Sequence, residues 1–138
     1  MKPILLVEDN DYELEQAKSI LTAQGYTLTM ATNLRDGINL LKELDGKIVG
    51  VIFDLLIPEF YGKANLPLGL EVITLAVKKS LPVVACSSMS GSIADEWSNY
   101  IKKLANETGY PYGSVPFVTG TKDWQKAGEE LKFLLNLK

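Results

Sequence analysis

Apolar residues follow two alternating rhythms along the chain. Ile4–Val7, Ile48–Phe53 and Pro82–Cys86 are short runs without a polar residue, the pattern of strands buried on both faces. Tyr26–Ala31 and Val115–Thr119 are rich in β-branched and apolar residues and read as two further strands. Between them the spacing lengthens to the helical period. Leu14, Ala17 and Leu21 share a face of a helix over Asp11–Gln24, with Gly25 as its stop. Leu34, Ile38 and Leu41 do the same over Leu34–Leu44, capped by Asn33. Leu70, Ile73 and Val77 mark a third helix, Leu70–Lys79. Ser92 is the expected cap of a fourth, Ile93–Glu107, with Ile93, Trp97, Ile101 and Leu104 as its stripe and Gly109 and Pro111 as breakers. Asp123 is the expected cap of a fifth, carrying Trp124, Ala127, Leu131 and Leu134 on one face. Five βα units in succession predict an α/β fold, a five-stranded parallel sheet with helices on both faces. Residues 55–68, rich in Pro and Gly, are left as a loop.

Composition narrows what such a fold can do. At 138 residues the chain suits one domain. A net charge of −3 argues against a nucleic-acid partner, which needs a basic face. No apolar run approaches the roughly 20 residues of a membrane span, and the amino-terminal run is too short for a signal peptide. A cytoplasmic location is expected, and the lone Cys86 agrees with a reducing compartment. Histidine is absent, which removes Ser-His triads, His general bases and His zinc ligands.

Sites in open α/β sheets lie at the carboxyl ends of the strands. Here the first strand ends on Glu8-Asp9, the third on Asp54, the fourth on Ser87-Ser88, and the fifth runs into Thr119-Gly120-Thr121-Lys122-Asp123. Parallel strands bring these ends to one edge. Clustered carboxylates raise one another's proton affinity unless a cation offsets them. Hard oxygen ligands of this kind suit Mg²⁺, and a metal beside an ammonium group suits an incoming phosphoryl group, with a carboxylate as nucleophile. Taken alone, Asp9 or Asp54 is equally a turn or cap residue, Ser87 a cap, and Lys122 a solvated surface charge. Their coincidence at four of five strand ends favours the functional reading.

These residues together resemble the receiver domains of two-component response regulators, the flavodoxin-like or CheY-like (βα)5 fold. "ILLVEDN" is similar to that family's first strand with its acidic pair, "VIFDLLIP" to its phosphoacceptor strand, "GLEVI" to the start of its third helix and "LPVVACSS" to its fourth strand ending in a switch hydroxyl. The resemblance covers nearly the whole chain and implies a single receiver domain over residues 1–138. It implies that Asp54 accepts a phosphoryl group from a phosphohistidine on a partner histidine kinase or phosphotransfer protein. Asp9, Asp54 and the Leu56 backbone carbonyl would hold Mg²⁺ directly, and Glu8 through a water. Ser87 would hydrogen-bond the phosphoryl oxygens and Lys122 would pair with them. Such a chain is a signalling switch and not a turnover enzyme. It ends just after the fifth helix, so output is expected through contact with a downstream protein.

The sequence departs from the family pattern in three places. The stretch from Pro58 to Gly69 is longer than usual by several residues and carries Phe60 and Tyr61. Asp123, not proline, follows Lys122, so a trans bond and a differently shaped loop are expected, a cis bond costing roughly 3 kcal/mol without proline. Thr119 stands where an aromatic switch residue is usual, with Phe117 nearest. Leu56 and Met89 flank the site with apolar side chains that cannot orient water, and slow self-dephosphorylation is expected. Tyr100, Tyr110 and Tyr112 are expected at the surface as contacts. The alternative is a receiver-like module that binds protein without phosphorylation. Other Mg²⁺-dependent α/β phosphotransferases fit poorly, since position 56 is Leu where haloacid-dehalogenase-type enzymes need Asp, and no Gly-Lys-Ser/Thr phosphate loop exists.

Overall fold

The computed structural model describes residues 2–89 and 91–137. The five expected strands are β1 (Lys2–Val7), β2 (Tyr26–Ala31), β3 (Gly50–Phe53), β6 (Val83–Cys86) and β7 (Phe117–Val118). They form one parallel sheet in the order β2-β1-β3-β6-β7. The chain leaves β1 toward one edge and returns on the other side at β3. The point where strand order reverses therefore lies between β1 and β3, where Val7 pairs with Phe53. Ile4–Val7, Val51–Phe53 and Val83–Cys86 are all buried, because helices cover both faces. Helices α1 (Asp11–Ala23) and α5 (Trp124–Leu135) pack together, and α3 (Gly69–Lys78) packs against both α2 (Leu34–Glu43) and α4 (Gly91–Thr108).

Local chemistry sets the helix ends. Asn10, Asn33 and Asp123 each accept a hydrogen bond from the backbone N–H three residues on, at 2.9 to 3.0 Å. Gly25, which closes α1, has φ of +96°, a conformation other residues resist. At α4 the structure differs from expectation. The helix begins at Gly91, so Ser92 lies inside its first turn and is not its cap. Ile93 is exposed, and Ala94, Ile101 and Ala105 form the buried stripe.

The loop after β3 is not structureless. Ile57–Pro58 (β4) and Asn65–Leu66 (β5) pair antiparallel into a small hairpin, with Ile57 opposite Leu66 and Pro58 opposite Asn65. Tyr110 and Tyr112, expected at the surface, are buried. The Tyr110 hydroxyl donates to the Leu81 carbonyl at 2.7 Å and accepts from the Val83 N–H at 3.2 Å, and the two rings meet edge to face at 5.3 Å. A phenol with both hydrogen bonds satisfied no longer needs water. Tyr100 is exposed as expected. Among the described residues no helix is long and apolar enough to cross a membrane.

Candidate functional site

Five of the six residues after β1 are acids or an amide, and they divide among different places. Glu8 turns inward and is fully buried. Asp9 stays half-buried at the sheet edge. Asn10 caps α1, while Asp11 and Glu13 sit in its first turn, where the helix dipole favours negative charge. Glu13 also reaches α5, its Oε1 accepting from the Trp124 indole N–H at 3.3 Å.

The register Val7–Phe53 brings Glu8 beside Asp54. One carboxylate oxygen from each of Glu8, Asp9 and Asp54 lies within 4.8 Å of the others. Lys122 enters from the loop between β7 and α5. Its Nζ is 2.6 Å from Glu8 Oε1 and 3.0 Å from Asp54 Oδ2, with the side chain only 12% exposed. Asp54 Oδ1 accepts the Leu56 N–H at 3.1 Å, and Glu8 Oε2 accepts the Asn10 N–H at 3.0 Å. One ammonium group cannot neutralise two buried carboxylates. Burial, and then the Asp54 charge, push the Glu8 carboxyl up to about 8, against the restraining pull of Lys122 and the Asn10 N–H. For Lys122, burial favours the neutral amine, but the Glu8 hydrogen bond and the Asp54 and Glu8 charges outweigh it and raise the ammonium to about 12.

Two backbone features hold the pocket's shape. Gly69, at the start of α3, lies against the end of β3. A Cβ there would collide with the Asp54 carbonyl oxygen and stand 2.7 Å from Leu55 Cα. Gly120, with φ of +91°, donates its N–H to the Met89 carbonyl at 2.8 Å and ties the Lys122 loop to the loop after β6.

Known structures share this arrangement of strands and helices. The chain matches a response regulator receiver domain protein from Clostridium thermocellum at TM-score 0.72 and 17% identity, over 99% of this chain and 95% of that one. The non-phosphorylated HemR receiver domain from Leptospira biflexa matches at 0.72 and 21%, over 100% and 97%. A response regulator receiver protein from Sinorhizobium medicae matches at 0.70 and 23%, over 98% and 94%. The chain has the receiver fold. No family model and no curated protein matches the sequence.

Within this receiver fold Glu8, Asp9, Asp54 and Lys122 meet in one pocket. Ser87 lies on the same edge, since Phe53 pairs with Ala85 two residues before it. It is buried, and its Oγ accepts the Met89 N–H at 3.3 Å. Leu56 lies half-buried two residues past Asp54. Lys122 reaches the pocket without a following proline. Among the described residues no peptide bond is cis, and Asp123 serves as the α5 cap, its carboxylate accepting the Lys126 N–H.

One polar contact to the pocket comes from a residue not singled out from the sequence. The Asn65 side-chain amide, from β5 of the hairpin, donates to Asp9 Oδ2 at 2.9 Å. The two residues are 56 positions apart, so no local spacing links them. The hint available was a lone polar side chain inside an apolar, proline-containing stretch, "ANLPL".

Proposed function

We propose that the chain is a phosphoacceptor receiver that takes a phosphoryl group on Asp54 from a phosphohistidine of a partner kinase or phosphotransfer protein. The observation that carries this reading is the bridging of Glu8 and Asp54 by Lys122 beside a third carboxylate, Asp9. A merely structural strand end has no reason to bury two carboxylates against one ammonium group.

Three convergent carboxylates are a donor set for a hard divalent cation. Asp9, Asp54 and the Leu56 carbonyl would hold Mg²⁺, with Glu8 acting through water. When bound, the ion offsets negative charge on the phosphoryl oxygens. The chain's own groups do the rest. The Leu56 N–H on Oδ1 and Lys122 on Oδ2 fix the plane of the Asp54 carboxylate. An Asp54 oxygen attacks phosphorus, a P–O bond forms, and the P–N bond to the donor histidine breaks with its electron pair left on nitrogen. Lys122 pairs with the phosphoryl oxygens as the negative charge on Asp54 is consumed. The Ser87 hydroxyl, at the same edge, donates to them. Leu56 and Met89 are half-buried and apolar, so neither side chain orients water for the return hydrolysis. Readout runs through protein contact, and Tyr100, exposed on α4, is a candidate contact.

The test is chemical trapping. After incubation with Mg²⁺ and acetyl phosphate, borohydride reduction converts an aspartyl phosphate to homoserine. Peptide mapping is expected to find homoserine at position 54. Conversion at another carboxylate, or at none, contradicts the assignment.

A further inference from the structure

The three carboxylates are not held alike. Glu8 and Asp54 are buried, and each contacts Lys122 and a backbone N–H. Asp9 contacts neither. Among the described residues its side-chain partner is Asn65 of the inserted hairpin.

The hairpin is in turn fixed from its far side. Its first strand, Ile57–Pro58, is buried. The Arg35 N–H at the start of α2 donates to the Glu59 carbonyl at 3.1 Å. The Arg35 guanidinium pairs with the Glu59 carboxylate at 3.4 Å and lies 5.6 Å from the centre of the Phe60 ring. A groove of about 320 Å³, lined by Asp9, Thr32, Pro58, Tyr61, Lys63 and Asn65, runs between the hairpin and the pocket. The hairpin thus spans from α2 to the one acid that the ammonium group does not reach.

We propose that Asn65 is a positioning residue for the divalent cation. Its amide orients the Asp9 carboxylate and so couples the inserted hairpin to occupancy of the pocket. This deepens the reading of the pocket as a Mg²⁺ site and rests on it. A carboxylate that ligates a metal loses affinity when the partner that orients it is removed, by about 10-fold or more. Coupling of this kind is reciprocal. If the hairpin contributes to cation affinity, the cation steadies the hairpin by the same amount.

Calorimetric titration with Mg²⁺ of the wild type, Asn65→Ala and Asn65→Leu tests this, the second variant keeping the side-chain volume without the donor. Asn65 is exposed, and both variants are expected to keep the wild-type circular dichroism spectrum. Both are expected to bind Mg²⁺ about tenfold more weakly. Amide hydrogen exchange on the wild type alone supplies a second readout: protection across residues 59–66 should rise with Mg²⁺. If the wild type binds Mg²⁺ and either variant binds within twofold of it, or more tightly, the role of Asn65 is overturned while the pocket assignment stands. Binding without added protection in the hairpin overturns it equally. If the wild type shows no saturable binding, the reading of the pocket fails, and this inference with it.

Discussion

The strand-end cluster and the hairpin beside it are built on opposite plans. Glu8, Asp54 and Ser87 are buried on the ends of central strands, with Lys122 pressed between the two acids. In the hairpin, Phe60 is 48% and Tyr61 87% exposed, and the tie to the pocket is one amide hydrogen bond at the surface. The first region stores electrostatic tension, since a single cation faces two desolvated carboxylates. The second stores little, because its groups face water. The proposed phosphoryl chemistry sits in the region where a lost partner cannot be replaced by water.

If that contrast is right, substitutions should rank by region. Lys122→Met leaves two buried acids without their cation. It is expected to cost about 3 kcal/mol in metal-free chemical denaturation and to abolish phosphoryl incorporation. A loss below about 1 kcal/mol, the range of surface pairs, would break the comparison. Gly69→Ala comes next, because a methyl group there meets Asp54 and Leu55 backbone that cannot step aside. A destabilisation of about 1–3 kcal/mol is expected, with slower phosphorylation because the acceptor strand end shifts.

The pH dependence follows from Glu8. Its carboxyl is raised in the folded protein from an ordinary 4.5 to about 8. Between those values the folded state binds more protons than the unfolded one, so stability falls as pH rises. The contribution is complete below about 4.5 and lost above about 8. Thermal denaturation without metal should show this decline, and saturating Mg²⁺ should flatten it. A metal-free stability that climbs from pH 5 to pH 8 would contradict the assignment. The smallest effect belongs to the hairpin. Arg35→Ala removes an exposed ion pair and an exposed cation–ring contact, and should cost about 0.5–1 kcal/mol, with acetyl phosphate labelling unchanged.

The same contrast explains what the sequence disclosed. Asn33 and Asp123 were legible as caps because a cap acts on a backbone N–H three residues away. The acids at the ends of β1 and β3 were legible because a parallel sheet gathers strand ends whatever the side chains are. Lys122 was legible as to its residue and not as to its place. The ion pairs to Glu8 and Asp54 span 114 and 68 positions, and the absence of proline after it pointed away from the usual loop. The hairpin was missed because strands of two residues have no period to detect. Tyr110 and Tyr112 misled for a related reason. Whether a tyrosine is buried depends on what its hydroxyl meets, and Leu81 and Val83 lie almost thirty residues upstream of Tyr110.

The central claim, phosphoryl transfer to Asp54, is tested most directly by intact mass. Wild type and Asp54→Ala would each be incubated with Mg²⁺ and acetyl phosphate. The account predicts a gain of one phosphoryl group in the wild type, abolished by a metal chelator, and none in Asp54→Ala. A wild type that folds normally and gains nothing would contradict it and leave a receiver-fold module that works by protein contact alone. An equal gain in both would move the acceptor away from Asp54.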